Sequence, residues 1–220
     1  MKKLLVLTIV FTSGLLFSQG GKVIDQLSLK SKILNSDRKY AIYLPSDYDY
    51  SNRDYPVLYL LHGAGDDHTG WVQFGEVKSI ADKTNKEGLS TSMIIVMPDA
   101  QTGKKGYFND IDNKWNYEDF FFQEFIPFIE KKYRVKSEKR YRAIAGLSMG
   151  GGSFLYALRH PEMFSSSCPL SGDMGELSYI EFYEKNKDKY EKYRREKVFN
   201  YYSNHNALSI IQNQTAENLK

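Results

Sequence analysis

Two kinds of apolar pattern follow one another along this chain. Near its start, "DQLSLKSKIL" and "KYAIYLP" set apolar residues against polar ones at alternate positions. Side chains of a strand point alternately to its two faces, so this pattern predicts two antiparallel strands with one face buried. Further on, "PVLYLLHG", "MIIVMPD", "YRAIAG" and "SSSCPLSG" are short, largely apolar runs. Such runs mark strands covered on both faces, as in a parallel sheet. Between them lie stretches of helical spacing. "VKSIADKTNKEG" is one. "NYEDFFFQEFIPFIEKKYRV" is another, with Phe121, Phe125, Phe128 and Ile129 on one face, and "GGSFLYALRH", stopped by Pro161, is a third. Parallel strands need long, usually helical crossovers. The order therefore predicts an α/β fold with a doubly wound, mostly parallel sheet.

The last part of the chain reads differently. "YIEFYEKNKDKYEKYRREKVFNYY" mixes charges of both signs with regularly placed tyrosines, and "NALSIIQNQTAENLK" reads as a short helix and a polar tail. Interleaved acids and bases predict a solvated helix face with aromatic packing, in preference to a basic nucleic-acid patch or a lid. No convincing strand follows "SSSCPLSG".

Composition narrows the setting. The chain opens with Met1, Lys2 and Lys3, an apolar run "LLVLTIVFTSGLLF", and small residues near Ser18. A basic start and an apolar run too short to span a bilayer predict a signal peptide over residues 1–18 and a secreted or periplasmic protein. Residues 22–220 then form one domain. Its lone Cys168 forms no internal disulfide, so the core must hold it together. Removing Lys2 and Lys3 lowers the formal net charge from +3 to +1, which gives no argument for nucleic acid or an anionic membrane as partner.

The chemistry centres on "YRAIAGLSMGGGSF". Gly146-Leu147-Ser148-Met149-Gly150 fits G-x-S-x-G between a predicted strand and a predicted helix, the setting of a nucleophile elbow. Glycines two before and two after the serine let strand and helix approach across a strained turn. That turn lifts the Ser148 hydroxyl clear of the sheet and aims the Met149 N–H where an oxyanion would form. A second loop, His62-Gly63-Ala64, leaves the strand "PVLYLL" and suits the other half of an oxyanion hole through the Ala64 N–H. Trp115 and Tyr117 are candidates for sugar stacking at the site mouth, or else form the apolar entry to the next helix. A metal is not expected. "HGAGDDH" lacks the histidine pairing of metallohydrolases, and "NDIDNKWNYED" lacks the glycine and distal glutamate of a calcium loop. No glycine-rich phosphate cradle appears, and no cofactor is expected.

"YAIYLPSDYDYSNRDYPVLYLLHGAGDDHTGW", "MIIVMPDA", "YEDFFFQEFIPFIEKKYRV", "RAIAGLSMGGGSFLYALRHPEMF" and the following "LSG" resemble, in order, the esterase D-like family of α/β-hydrolases. That group includes feruloyl esterases, acetylxylan esterases, siderophore esterases, S-formylglutathione hydrolases and mycolyltransferases. The resemblance implies that Ser148 is the acyl-accepting nucleophile and that Met149 with the Gly63/Ala64 loop forms the oxyanion hole. It implies a serine esterase acting on small-molecule or polysaccharide esters, and the predicted secretion favours acetyl or feruloyl groups on carbohydrate. A siderophore esterase and an inactive glycan-binding relative are the alternatives. In the family, two further strands after "SG" deliver the triad aspartate and histidine. This chain shows neither, so it is expected to be C-terminally incomplete, lacking the last two strands.

Four histidines remain as bases for Ser148. His160 lies about 18 Å away at the far end of the following helix. His62 is expected to brace the oxyanion loop, and His68 sits further along that loop, toward the substrate rim. His205 has the family's chain order, with Asp173 or Glu176 as carboxylates, but no strand precedes it. The base is therefore expected to lie outside this chain.

Overall fold

Four parallel neighbours and an antiparallel ribbon make the sheet that carries the site. In the computed structural model, which describes residues 20–100, 106–172 and 179–214, the strands are β1 (Lys22–Ser31), β2 (Ser36–Leu44), β3 (Val57–Leu61), β4 (Ile94–Pro98), β5 (Arg142–Leu147) and β6 (Ser166–Leu170). Their spatial order is β1-β2-β4-β3-β5-β6. β1 pairs antiparallel with β2, and β2 with β4. β4, β3, β5 and β6 pair in parallel. The predicted signal peptide, Asp173 and Glu176 lie outside the described residues.

The helices are α1 (Gly70–Gln73), α2 (Val77–Lys86), α3 (Tyr117–Phe120), α4 (Ile126–Lys132), α5 (Ser153–Arg159), α6 (Tyr179–Lys185), α7 (Lys187–Tyr190), α8 (Arg195–Ser203) and α9 (Ala207–Asn213). Alternate residues of each central strand serve opposite faces. Val57, Tyr59, Leu61, Ile94, Val96 and Ile144 meet Tyr117, Phe120, Phe121, Phe125 and Ile129 of the α3–α4 segment and Tyr156 of α5. Leu60, Ile95, Met97 and Ala145 meet Val77 and Ala81 of α2 on the other face. Helices on both faces of a mostly parallel sheet are the architecture the apolar runs predicted.

Three details depart from the expected elements. The aromatic helix is interrupted by a π turn at Phe121–Phe125, just before Pro127 in the first turn of α4. Proline has no N–H and crowds the carbonyl four residues back, so the helix widens ahead of it. The long charged helix is broken into α6, α7 and α8, with Asn186 turning its side chain back to the Phe182 carbonyl at 2.8 Å. Asparagine competes for backbone groups in this way and favours breaks over helix interiors. Finally, β6 is not buried. Every position in it is exposed or half-buried, because among the described residues it pairs with β5 alone.

The loops that leave β3 and β5 part company at the carboxyl edge. After β3 the chain crosses by α2 on one face, and after β5 by α5 on the other. Adjacent strands whose connections diverge in this way open a crevice at their carboxyl ends, where α/β sheets hold their ligands.

Candidate active site

Ser148 stands at the head of that crevice, directly after β5, with a left-handed φ of 53°. A serine gains nothing intrinsically from this conformation. It persists only because its surroundings over-determine it, which is the state expected of an elbow nucleophile. The chain then enters a tight 3-10 turn, Ser148–Gly152, before α5, so the predicted helix begins two residues late. The two flanking glycines are required by contact. A Cβ on Gly146 would fall 2.2 Å from the Gly150 carbonyl oxygen, and one on Gly150 would fall 2.6 Å from the Leu61 oxygen. The turn thus packs backbone to backbone against β3. Ser148 is exposed, and the N–H of Met149, in the first helical turn, has no partner four residues back.

The loop after β3 lies against this turn. A Cβ built on Gly63 would sit 3.8 Å from that of Ser148. His62, 1% exposed, orients the loop. The Ala100 N–H donates to His62 Nε2 at 3.2 Å, so Nε2 must be the unprotonated nitrogen. Nδ1 then carries the proton and donates to the Gly63 carbonyl at 2.9 Å. The peptide that follows is planar and trans, so its N–H points opposite its C=O. Holding the Gly63 oxygen toward His62 turns the Ala64 N–H away from it. The loop is pinned further by Trp71 Nε1 donating to the Leu61 carbonyl at 3.1 Å and by the Tyr107 hydroxyl donating to the His62 carbonyl at 3.1 Å. Tyr156 of α5 in turn donates to the Tyr107 carbonyl, tying the helix after the nucleophile to the oxyanion loop.

Beside Ser148 opens a cavity of about 510 Å³, lined by Phe108, Met149, Tyr190, Tyr201, Tyr202 and His205 among others. Its far wall is the tyrosine-rich segment. Phe182 stacks on Tyr190 at 5.5 Å, and Tyr201 stacks on His205 at 4.2 Å. Aromatic packing was the expected role of those tyrosines. Their turning toward Ser148 was not, and only their regular spacing hinted at it. The segment is held by the Tyr193 hydroxyl donating to Asp112, which lowers the Asp112 pKa, and by Arg159 Nη1 donating to the Asn204 carbonyl at 2.7 Å.

Trp115 and Tyr117 do not line this cavity. Tyr117 is fully buried and Trp115 nearly so, its indole N–H donating to the Gly106 carbonyl at 2.6 Å. Both rings pack in the core against one another at 5.9 Å. The apolar entry to α3, and not a sugar platform, is where the fold puts them. His68 is buried beside Asp67. His160 follows α5, its Nε2 3.2 Å from Glu118 and its ring against Phe122 at 3.8 Å. His205 lies between α8 and α9 and does line the cavity. Asp66 and Asp67 are taken up in closing their own loop, Asp67 accepting from the Thr69 N–H and hydroxyl at 2.7 Å. Among the described residues no group of three His, Cys, Asp or Glu is placed to hold a metal.

A family model described as "Putative esterase" matches residues 31–216. The chain belongs to this esterase family. Among its relatives is an endo-1,4-β-xylanase/feruloyl esterase of Xylanibacter ruminicola, 35% identical over 159 residues, which cover 68% of this chain and 21% of that protein. An esterase of Mycobacterium tuberculosis is 37% identical over 136 residues, 60% of this chain and 28% of that one. This esterase-family chain thus matches a fifth to under a third of the length of these two relatives. A solved ferulic acid esterase superposes with a TM-score of 0.74 at 33% identity, covering 90% of this chain and 74% of its own. A ferulic acid esterase of the anaerobic fungus Anaeromyces mucronatus superposes with a TM-score of 0.56 at 25% identity, covering 74% and 66%. The fold is that of α/β-hydrolase esterases.

Proposed function

We propose that this chain carries the nucleophile, oxyanion hole and acyl pocket of a serine carboxylesterase acting on esters of carbohydrate, with an aromatic acyl group preferred to acetyl. The observation that carries this reading is Ser148, held at φ 53° beside Gly63 and opening onto a cavity walled by Phe108, Tyr190, Tyr201 and Tyr202. Four aromatic rings are far more apolar surface than an acetyl group uses, and they match a planar hydroxycinnamoyl group in size and character. The likeness to proteins named as feruloyl and ferulic acid esterases supports the same choice. Ser148 Oγ attacks the ester carbonyl, and the Met149 and Ala64 N–H groups hold the resulting oxyanion. A general base takes the Ser148 proton and passes it to the departing alcohol, and water, deprotonated by the same base, then releases the acid from the acyl-enzyme. His62 serves this step by fixing which way the Ala64 N–H faces.

The test compares p-nitrophenyl ferulate with p-nitrophenyl acetate, which share a leaving group. The ferulate ester is expected to show a kcat/KM higher by about tenfold or more, since aryl burial is realised in the transition state as well as on binding. The opposite order would replace this reading with an acetyl esterase.

We also infer export from the cell, on the basic start and short apolar run of residues 1–18. Intact-mass measurement of protein made in a secreting host is expected to give a species starting near Gln19. A mature species retaining residues 1–17 would overturn the inference.

A further inference from the structure

At the opposite end of the sheet from Ser148 the chain gathers positive charge. The whole protein carries a formal net charge of +3, yet residues 130–142 hold seven bases against two acids. One of those bases is neutralised inside the fold. Arg142 is buried, donates to Glu130 and donates to the Ser137 carbonyl at 2.6 Å. Lys136 and Arg140 instead line a surface cavity of about 520 Å³, together with Arg53, Tyr141, Thr91 and Ser92. Its floor is Val57, Met93 and Arg142, at or beside the amino ends of β3, β4 and β5. Six residue steps along β5 at ~3.3 Å each separate Arg142 from Ser148, about 20 Å in all.

The cations of this cavity are held by rings. Lys136 Nζ rests 4.4 Å and the Arg140 guanidinium 4.7 Å from the centre of the Tyr141 ring, and the Arg53 guanidinium lies 4.7 Å from that of Tyr55. A ring orients a cation without neutralising it. Arg140 also pairs with Glu138 at 3.2 Å and Arg53 with Asp47 at 2.7 Å, but both pairs touch solvent and are readily exchanged for another carboxylate. Beside the cations lie the hydroxyls of Thr91 and Ser92 and the Asp54 carboxylate. Cations, hydroxyls and one acid together fit a ligand rich in hydroxyl groups that carries carboxylates at intervals. Duplex nucleic acid, with a charge every ~1.7 Å, fits less well, because its phosphates would meet Asp54 and Glu138.

Resting on the reading of this chain as an esterase of carbohydrate, we propose that the cavity binds uronate residues of an acidic polysaccharide. Lys136 and Arg140 hold the sugar carboxylate, and Thr91, Ser92 and Asp54 meet its hydroxyls. At about 20 Å from the nucleophile, the contact grips the polymer at a point other than the ester being cleaved. It therefore adds affinity for the polymer and none for a small aryl ester.

The experiment uses the full chain and two polymers, deacetylated glucuronoxylan and the same glucuronoxylan after carboxyl reduction, which leaves the backbone but makes each uronate a neutral sugar. Calorimetry is expected to show the native polymer bound roughly tenfold more tightly, as two or three exposed ion pairs of modest strength supply, and the preference to fade in 1 M salt. Lys136→Gln with Arg140→Gln should bring the ratio close to one while leaving the affinity for the reduced polymer unchanged. Lys136→Arg alone should keep the preference. Circular dichroism melts establish that each variant is folded. Equal affinities for the two polymers, binding of neither, or a preference that survives in the folded double variant would overturn the proposal. So would duplex DNA that competes as strongly as glucuronoxylan, since the surface would then read charge alone. Each of these outcomes leaves the aryl-acyl reading standing, because the comparison of p-nitrophenyl ferulate with the acetate tests it at the other end of the sheet.

Discussion

Replacing Ser148 with alanine is expected to end covalent labelling by a fluorophosphonate and, where a base is supplied to Ser148, to lower hydrolysis of p-nitrophenyl ferulate by about 10³-fold or more. The size of the loss follows from what remains without a nucleophile. A serine hydrolase that loses its nucleophile keeps only the roughly 10³–10⁴-fold acceleration over water that its oxyanion hole and binding pocket supply. Its exposure, its left-handed backbone and the glycine-enforced approach of β3 and β5 place Ser148 where the two loops meet. Mass spectrometry of the labelled protein locates the adduct. Label on a residue other than Ser148, or turnover undiminished in Ser148→Ala, would remove the esterase mechanism proposed for this chain.

The second large effect concerns Glu118, which joins the core to the cavity wall. Its carboxylate accepts from Arg159 and from His160 Nε2 at 3.2 Å, and Arg159 reaches on to the Asn204 carbonyl next to His205. Burial by itself would raise the Glu118 pKa. The His160 hydrogen bond and the Arg159 charge outweigh it and hold the carboxyl below its ordinary value of 4.5. Glu118→Gln leaves a largely buried guanidinium without its counter-charge. Breaking a buried pair from one side costs about 3 kcal/mol or somewhat more. In a domain of this size that lowers the melting midpoint by roughly 6–12 °C. Because the folded pKa is depressed, the stabilisation is fully present above pH 4.5 and fades as pH falls through the lowered value. The gap in melting midpoint between wild type and Glu118→Gln is therefore expected to close on acidification. A gap that persists at acid pH would mean that packing, and not charge, carries the effect.

Much of this arrangement could be read along the chain, for a reason that lies in its periodicities. The alternation in "KYAIYLP" and the apolar runs "PVLYLL" and "MIIVMP" correspond to β2, β3 and β4, with odd and even residues on opposite faces. A period of two is a local property, so it survives in one dimension. The pair of glycines around Ser148 was legible too, since only close backbone approach explains glycine on both sides of an exposed serine. Trp115 and Tyr117 were ambiguous because an aromatic beside a charged stretch looks the same whether it caps a core or faces a ligand. The three-dimensional setting buried both. The same ambiguity ran the other way for Tyr190, Tyr201 and Tyr202, which looked like the packing of a solvated helix and instead also wall the cavity. β6 looked like a buried strand because its composition is apolar enough for one. Its place in the sheet order, outside β5, is what leaves it exposed.

The sequence by itself determined the strands and their crossover helices in outline, the parallel character of the sheet, the elbow at Ser148 and the loop at Gly63 that meets it, because each rests on spacing over a few neighbouring residues. Only the tertiary structure decided that a histidine more than fifty residues beyond Ser148, between two helices, shares its cavity, with its Nδ1 tied to the Tyr201 carbonyl and its ring stacked on Tyr201. Those outcomes depend on how α6 to α9 fold back over the crevice, through contacts such as Arg159 to Asn204 and Tyr193 to Asp112 that join positions far apart in the chain. Such contacts have no period, and a linear pattern therefore carries no trace of them.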